Sequence, residues 1–273
     1  MKFRKWNGLG NDFIIIAPGE GENSNFSRLA PAWCDRHFGI GADGIVKLRR
    51  LDGGAFEMRI FNSDGSEAEM CGNATRCVGL FLKRELLPDV RKFELHTKGG
   101  IVRPEVIGDS EVRVDMGAPR FRRGDIPATG DPDAEARDLE LAAGTEKFRA
   151  FALSMGNPHA VIFVDDAERF PVREVGPLLE TAPIFPRKCN IEFAQILDRR
   201  TIRMRVWERG CGVTLACGTG SCATAVAAVE TGRTEDRVRL MLDGGELEIQ
   251  YSPGSHVFMT GSAREVYRGE ITE

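Results

Sequence analysis

The sequence predicts an α/β protein of the α+β kind, built as two pseudo-symmetric halves, each a curled sheet around one buried helix. Three observations carry this. A single shift of 146 positions aligns two separated regions of the chain without gaps. Short β-branched segments bounded by Gly, Pro or Asp outnumber helical ones. Two of the helical segments are apolar almost all round, as helices buried on every side are.

The shift pairs Met58-Arg59-Ile60-Phe61-Asn62 with Met204-Arg205-Val206-Trp207-Glu208. Nine residues after Asn62 and Glu208 come Cys71-Gly72 and Cys217-Gly218. The same shift pairs Gly8-Leu9-Gly10-Asn11-Asp12-Phe13 with Ser154-Met155-Gly156-Asn157-Pro158-His159. So long a period means two related halves, not a solenoid. The break is expected within Met116 to Arg137, where Gly117, Pro119, Gly124, Pro127, Gly130 and Pro132 interrupt any apolar period. That stretch reads as a linker or a surface excursion. The halves are therefore drawn as residues 1–116 and 117–262, with the tail 263–273 returning to the first.

Along the first half, strands are predicted at Lys2–Trp6, Phe13–Ala17, Gly44–Leu48, Ala55–Phe61, Lys92–Thr97, Ile101–Val106 and Glu111–Asp115. Helices are predicted near Phe26–Arg36 and Ala74–Leu86. The second half offers strands at Lys147–Leu153, Ala160–Val164, Glu192–Ile196, Thr201–Trp207, Arg237–Leu242, Glu246–Tyr251 and His256–Thr260. Its helices fall near Val172–Thr181 and Gly220–Glu230. The all-round apolar stretches are Val78 to Leu82 and Ala223 to Val229, one in each half.

Composition narrows the function. The 273 residues are 42% apolar and 29% charged, as in ordinary globular proteins. The net charge of −4 provides no basic field for nucleic acid or acidic lipid. No apolar run approaches the roughly 18 residues of a membrane helix. Phe13–Ala17 is too short for an export signal. The expectation is a cytoplasmic protein whose seven cysteines are reduced thiols. Cys34, Cys77, Cys189 and Cys222 are expected to be small buried hydrophobes.

Cys71 and Cys217 differ. Each stands just before a helix, followed by glycine and a polar residue. Unpaired N–H groups and the helix dipole lower a thiol pKa there, and the same N–H groups bind a carboxylate. Gly72 and Gly218 allow close approach of a ligand. Two matched halves then supply two acid–base thiols, able to face each other across a cleft. Opposed groups of equal type suit inversion at carbon: one removes a proton from one face and the other returns one to the opposite face. Helix N-termini would stabilise the charge that gathers on an amino-acid carboxylate.

Other chemistries fit less well. Cys71 and Cys77 are six apart and Cys217 and Cys222 five apart, so on a helix the thiols diverge by about 240° and 140°. Neither spacing is that of structural zinc, and no metal site is predicted. Gly39-Ile40-Gly41-Ala42-Asp43-Gly44 matches a dinucleotide fingerprint in letters only, since a helix precedes it and a strand follows. No lysine stands out as a Schiff-base former, so no cofactor is expected.

These residues together make the chain similar to the diaminopimelate epimerases, nearly end to end. The resemblance runs through Gly8 to Phe13, Gly39 to Gly44, Phe61-Asn62-Ser63-Asp64-Gly65-Ser66 and Cys71 to Cys77. It continues through Ser154 to His159, Glu208-Arg209-Gly210 and Ala216-Cys217-Gly218-Thr219-Gly220. It implies a mixed sheet around each central helix, an active site between the halves, no cofactor, and a homodimer. Cys71 and Cys217 would be the acid–base pair, with His159 and Glu208 setting thiol protonation. Backbone N–H groups of Gly72-Asn73 and Gly218-Thr219 would hold the reacting carboxylate. Asn11, Asn62, Asn157, Asn190, Glu208 and Arg209 would bind the rest of a two-headed amino acid. Gly44, where some members have glutamine, Val213, where many have glutamate, and the added thiol Cys211 are departures. The rival readings are a proline-, hydroxyproline- or histidine-type racemase, a thiol redox sensor, and an inactive amino-acid-binding module.

Overall fold

The computed structural model describes residues 1–271. Thr272 and Glu273, the end of the expected tail, lie outside the described residues. The chain forms two compact units. One is Met1–Asp115 with the segment that begins at Thr260; the other is Met116–Met259.

In chain order the first unit contains β1 (Lys2–Gly8), β2 (Asn11–Ile16), α1 (Phe26–Cys34), β3 (Gly44–Arg50), β4 (Phe56–Asn62), β5 (Glu67–Ala68) and α2 (Gly72–Phe81). It continues with β6 (Leu95–Thr97), β7 (Gly100–Val102), β8 (Pro104–Val106) and β9 (Glu111–Asp115). The second unit contains β10 (Leu139–Ala143), β11 (Glu146–Ser154), β12 (Pro158–Phe163), α3 (Val172–Glu180), β13 (Asn190–Asp198) and β14 (Thr201–Glu208). Then come β15 (Gly212–Val213), α4 (Gly218–Glu230), β16 (Arg237–Leu242) and β17 (Gly245–Gln250). β18 (Phe258–Ser262) carries the chain over the boundary, and β19 (Arg264–Glu270) pairs antiparallel with β1.

The two units repeat one plan. The first sheet orders its strands β19-β1-β2-β3-β4-β6-β7, and the order of the second opens with the matching run β10-β11-β12-β13-β14-β16-β17. Both sheets are mixed. β2 runs parallel to β3 with Phe13 opposite Gly44, and β12 runs parallel to β13 with His159 opposite Asn190. Both register pairs are separated by the same 146 positions. The antiparallel partners continue the match, with Ile45 opposite Phe61 and Ile191 opposite Trp207.

The helices after the cysteines are core elements. Every residue of α2 is buried, and α4 is buried at Gly218 and from Gly220 through Ala228. Gly79 shows why α2 fits: a Cβ there would lie 3.0 Å from the Pro104 side chain. Cys34, Cys77, Cys189 and Cys222 are all buried thiols.

Several boundaries differ from the sequence reading. α2 ends at Phe81, and a π-type turn, Leu82–Leu86, completes the predicted helix. The strand expected at Ile101–Val106 is two strands, β7 and β8, split at Arg103. β10 was not anticipated; Leu139, Leu141 and Ala143 alternate inward, but the segment is short and charged at its flanks. The Met116–Arg137 stretch is not a free linker. Ile126 and Ala136 are buried in the core of the second unit, and Arg120 bridges to Ser154.

Candidate active site

In each unit one parallel strand pair, β2–β3 or β12–β13, and the cysteine-bearing helix place polar side chains together. In the first unit Cys71 precedes α2 in extended backbone. Its Sγ lies 3.6 Å from Asn11 Oδ1, to which the Asn73 amide also donates at 3.1 Å. Asn11 Nδ2 donates to Asp43 Oδ2 at 2.7 Å. The amide group is thereby oriented, its NH₂ toward Asp43 and its carbonyl oxygen toward the thiol.

Asp43 is held in turn by Arg36 Nη2 at 2.7 Å and by the Asp12 N–H at 3.0 Å. Arg36 forks onto the Asp12 carboxylate at 2.8 and 3.0 Å, and Lys5 Nζ lies 2.7 Å from Asp12 Oδ2. Burial alone would raise the Asp12 carboxyl. Hydrogen bonds from Arg36 and Lys5 outweigh it and hold the group at about 2. Asn62 is engaged differently: exposed at the end of β4, it donates to Ser66 Oγ at 3.0 Å. A Cβ at Gly44 would lie 2.7 Å from the Phe61 carbonyl oxygen, so β3 admits no larger residue at this approach without a shift.

In the second unit Cys217 caps α4. Its Sγ accepts the Gly220 N–H at 3.3 Å, the bond an N-cap side chain makes to the third helical residue. Thr219 Oγ1 lies 3.6 Å from the same sulfur and accepts from Asn157 Nδ2 at 3.3 Å. Asn157 Oδ1 is 2.9 Å from His159 Nε2. His159 Nδ1 is 2.6 Å from Glu192 Oε1. Glu208 hydrogen-bonds both Cys217 and the Thr214 hydroxyl. Asn190 donates to the Pro158 carbonyl at 2.7 Å and accepts the Arg209 N–H at 2.9 Å. The Arg209 guanidinium is exposed and reaches the Arg187 carbonyl at 3.4 Å.

The expected lowering of the thiol pKa is overturned at Cys217. Burial pushes this thiol well above its ordinary value, and the Glu208 and Glu192 carboxylates add to the rise. The Gly220 N–H and the Thr219 hydroxyl pull it down, but less. The helix N-terminus is present; desolvation and like charge outweigh it. Burial also raises the Glu208 carboxyl, against the hydrogen bonds from Thr214 and Cys217.

The structure therefore gathers Asn11, Asn73 and Cys71 in one cluster, and Asn157, His159, Glu208, Cys217 and Thr219 in another. Gly72 and Gly218 open the two helices, where the first N–H groups lack intrahelical partners. Sequence reading missed Asp43 with its Arg36–Asp12–Lys5 support, and it missed Glu192. A signal for Glu192 existed. It is a carboxylate inside the buried run Asn190–Ala194, at the position that the 146-residue shift pairs with Val46.

The chain is similar to known proteins over nearly its whole length. The family model described as diaminopimelate epimerase matches residues 3–122 and 151–266. The diaminopimelate epimerase of Pelotomaculum thermopropionicum is 47% identical over 99% of this chain and 98% of its own. That of Synechocystis is 45% identical over 99% of this chain and 98% of its own. Among solved structures, a phenazine biosynthesis protein of the PhzF family from Bacillus anthracis has a TM-score of 0.73 at 16% identity, covering 100% of this chain and 99% of its own. A probable proline racemase from Agrobacterium radiobacter has a TM-score of 0.69 at 15% identity, covering 99% of this chain and 92% of its own. These two likenesses establish a shared fold.

Proposed function

The chain belongs to the diaminopimelate epimerase family, and on that premise we propose that it inverts one α-carbon of LL-2,6-diaminopimelate to give the meso isomer. The reaction needs no cofactor and serves the synthesis of lysine and peptidoglycan precursors. The observation that carries the reading is the pair of equivalent cysteines, each opening a buried helix in its own unit. One thiolate takes the α-proton and the other thiol gives a proton to the opposite face. The S–H bond formed on one sulfur balances the S–H bond broken on the other. The reverse reaction exchanges their roles.

The intermediate places negative charge on the α-carboxylate. N–H groups of Gly72-Asn73 and Gly218-Thr219 are assigned to hold it, an oxyanion-type stabilisation. His159 and Glu208 set the protonation of Cys217 through the bonds described above. Asn11, Asn62, Asn157, Asn190 and Arg209 are assigned to the rest of the substrate, whose second amino-acid end calls for neutral donors and acceptors and a charge. Each half, 1–116 with the tail from 263 and 117–262, supplies one thiol. No helix among the described residues is long and apolar enough to cross a membrane. We assign the enzyme to the cytoplasm, as a homodimer, a state that light scattering on eluting protein would measure.

The decisive experiment follows solvent deuterium. Reduced protein is incubated with LL-diaminopimelate in D₂O, with the α-proton followed by NMR and the isomers by chiral chromatography. Deuterium uptake with meso product, lost in Cys71→Ala and Cys217→Ala, is expected. Exchange only with proline, hydroxyproline or histidine would replace the substrate. No exchange with any amino acid would overturn the epimerase reading in favour of a redox or binding role.

A further inference from the structure

We infer that Glu192 is a positioning residue of this site: its carboxylate accepts the Nδ1 proton of His159 and so fixes the ring, Asn157 and Thr219 beside Cys217. The inference rests on the reading that Cys217 is a reacting thiol. Glu192 and His159 are both fully buried, with Oε1 and Nδ1 2.6 Å apart. A carboxylate at that distance can only accept from a ring N–H, which decides where one imidazole proton resides. Nε2 faces Asn157 Oδ1, itself an acceptor, so this nitrogen donates as well, and the chain of contacts ends at the sulfur.

Packing alone does not require this pair. The 146-residue shift places Phe13 and Val46 at the equivalent register positions of β2 and β3, both buried. The same strand pairing is thus made with two apolar side chains in the other half. A buried charge is unfavourable unless it is compensated. Glu192 Oε2 has no hydrogen-bond partner among the described residues, so the compensation is incomplete. A buried carboxylate that the fold does without in its other half, with one oxygen on His159 and the other unpartnered among the described residues, points to a role in the site.

Glu192 is also fitted to the helix that Cys217 begins. A Cβ on Gly220 would lie 2.7 Å from Glu192 Oε1 and 3.2 Å from Cys217 Sγ. Glycine there allows the carboxylate and the thiol to share the first turn of α4. Alanine at this position would push against the same oxygen that holds His159.

The test combines ring spectroscopy with kinetics on the full chain. The chain has four histidines, so His159→Asn identifies the His159 ring signals in ¹H–¹⁵N spectra. In the native protein Nδ1 is expected to carry a proton with a strongly deshielded resonance. Glu192→Ala should abolish or move that resonance. It should also lower kcat on the order of 10- to 100-fold, with KM changed much less. Glu192→Gln, isosteric and still able to accept at Oε1, should retain the Nδ1 proton and recover part of the rate. Gly220→Ala should disturb the same resonance from the helix side. An unchanged His159 resonance in folded Glu192→Ala, or a kcat within about twofold of native, would overturn the inference. If Glu192→Ala fails to fold, the glutamine and Gly220→Ala variants decide. A native protein inert toward diaminopimelate would count against the epimerase reading, while the ring resonances would still test the positioning role.

Discussion

Replacing Asp12 by asparagine tests the charged cluster beneath Asn11. The native carboxyl is held at about 2 against an ordinary value of 3.8. At about 1.4 kcal/mol for each pH unit, that lowering corresponds to roughly 2 kcal/mol of folding free energy at neutral pH. Lys5 adds to the loss. Lys5 is buried, at 4% exposure, and without Asp12 its ammonium keeps the Gly41 carbonyl but loses this carboxylate. Stranding one partner of a buried pair raises the expected cost to about 3 to 5 kcal/mol. The sign follows from the direction of the shift. A depressed carboxyl stabilises the fold above its unfolded value near 3.8, and this contribution is lost as pH falls through about 2. Urea titrations of native and Asp12→Asn protein from neutral pH down to about pH 2.5 measure it. The stability gap should be widest above about pH 4 and narrow below that. A gap independent of pH, or below about 0.5 kcal/mol at neutral pH, would refute the assignment of these bonds as the source of the stability.

Two further outcomes are expected. With Cys217 as the base, kcat/KM should climb about tenfold per pH unit through neutrality with no plateau below the ordinary thiol range, because burial and two carboxylates hold this thiol high; a plateau near neutral pH in a stopped-flow or coupled assay would contradict it. Glu180→Ala should raise KM more than it lowers kcat and cost about 1 to 3 kcal/mol in denaturant titrations, because this buried carboxylate binds Trp207 Nε1 at 2.7 Å and the Gly210 N–H at 3.0 Å on either side of Glu208 and Arg209.

Much of the architecture was legible because its signals are local or periodic. The shift that pairs Asn11 with Asn157 and Cys71 with Cys217 survives as strand register in both sheets. The apolar stretches after the two cysteines read directly as buried helices. β10 escaped notice because its apolar period spans only five residues. The end of α2 was misplaced because a π-type turn keeps the side-chain pattern while changing the backbone bonding. Residues with chemistry of their own were legible in part: Cys71 lies with Asn11 and Asn73, and Cys217 with Asn157, His159, Glu208 and Thr219, whereas Asn62 and Arg209 are exposed and bond elsewhere. Those acting through others were not, since Asp43 is 32 positions from Asn11 and Glu192 is 33 from His159.

By itself the sequence determined the duplication, the two helix-opening cysteines and the family. Each is written in residue type and spacing along the chain. Tertiary structure alone decided the electrostatics at Cys217. A helix N-terminus is a local feature and lowers a thiol pKa wherever it occurs. Burial and the carboxylates of Glu208 and Glu192 depend on which distant strands pack against that turn, and at Cys217 they prevail.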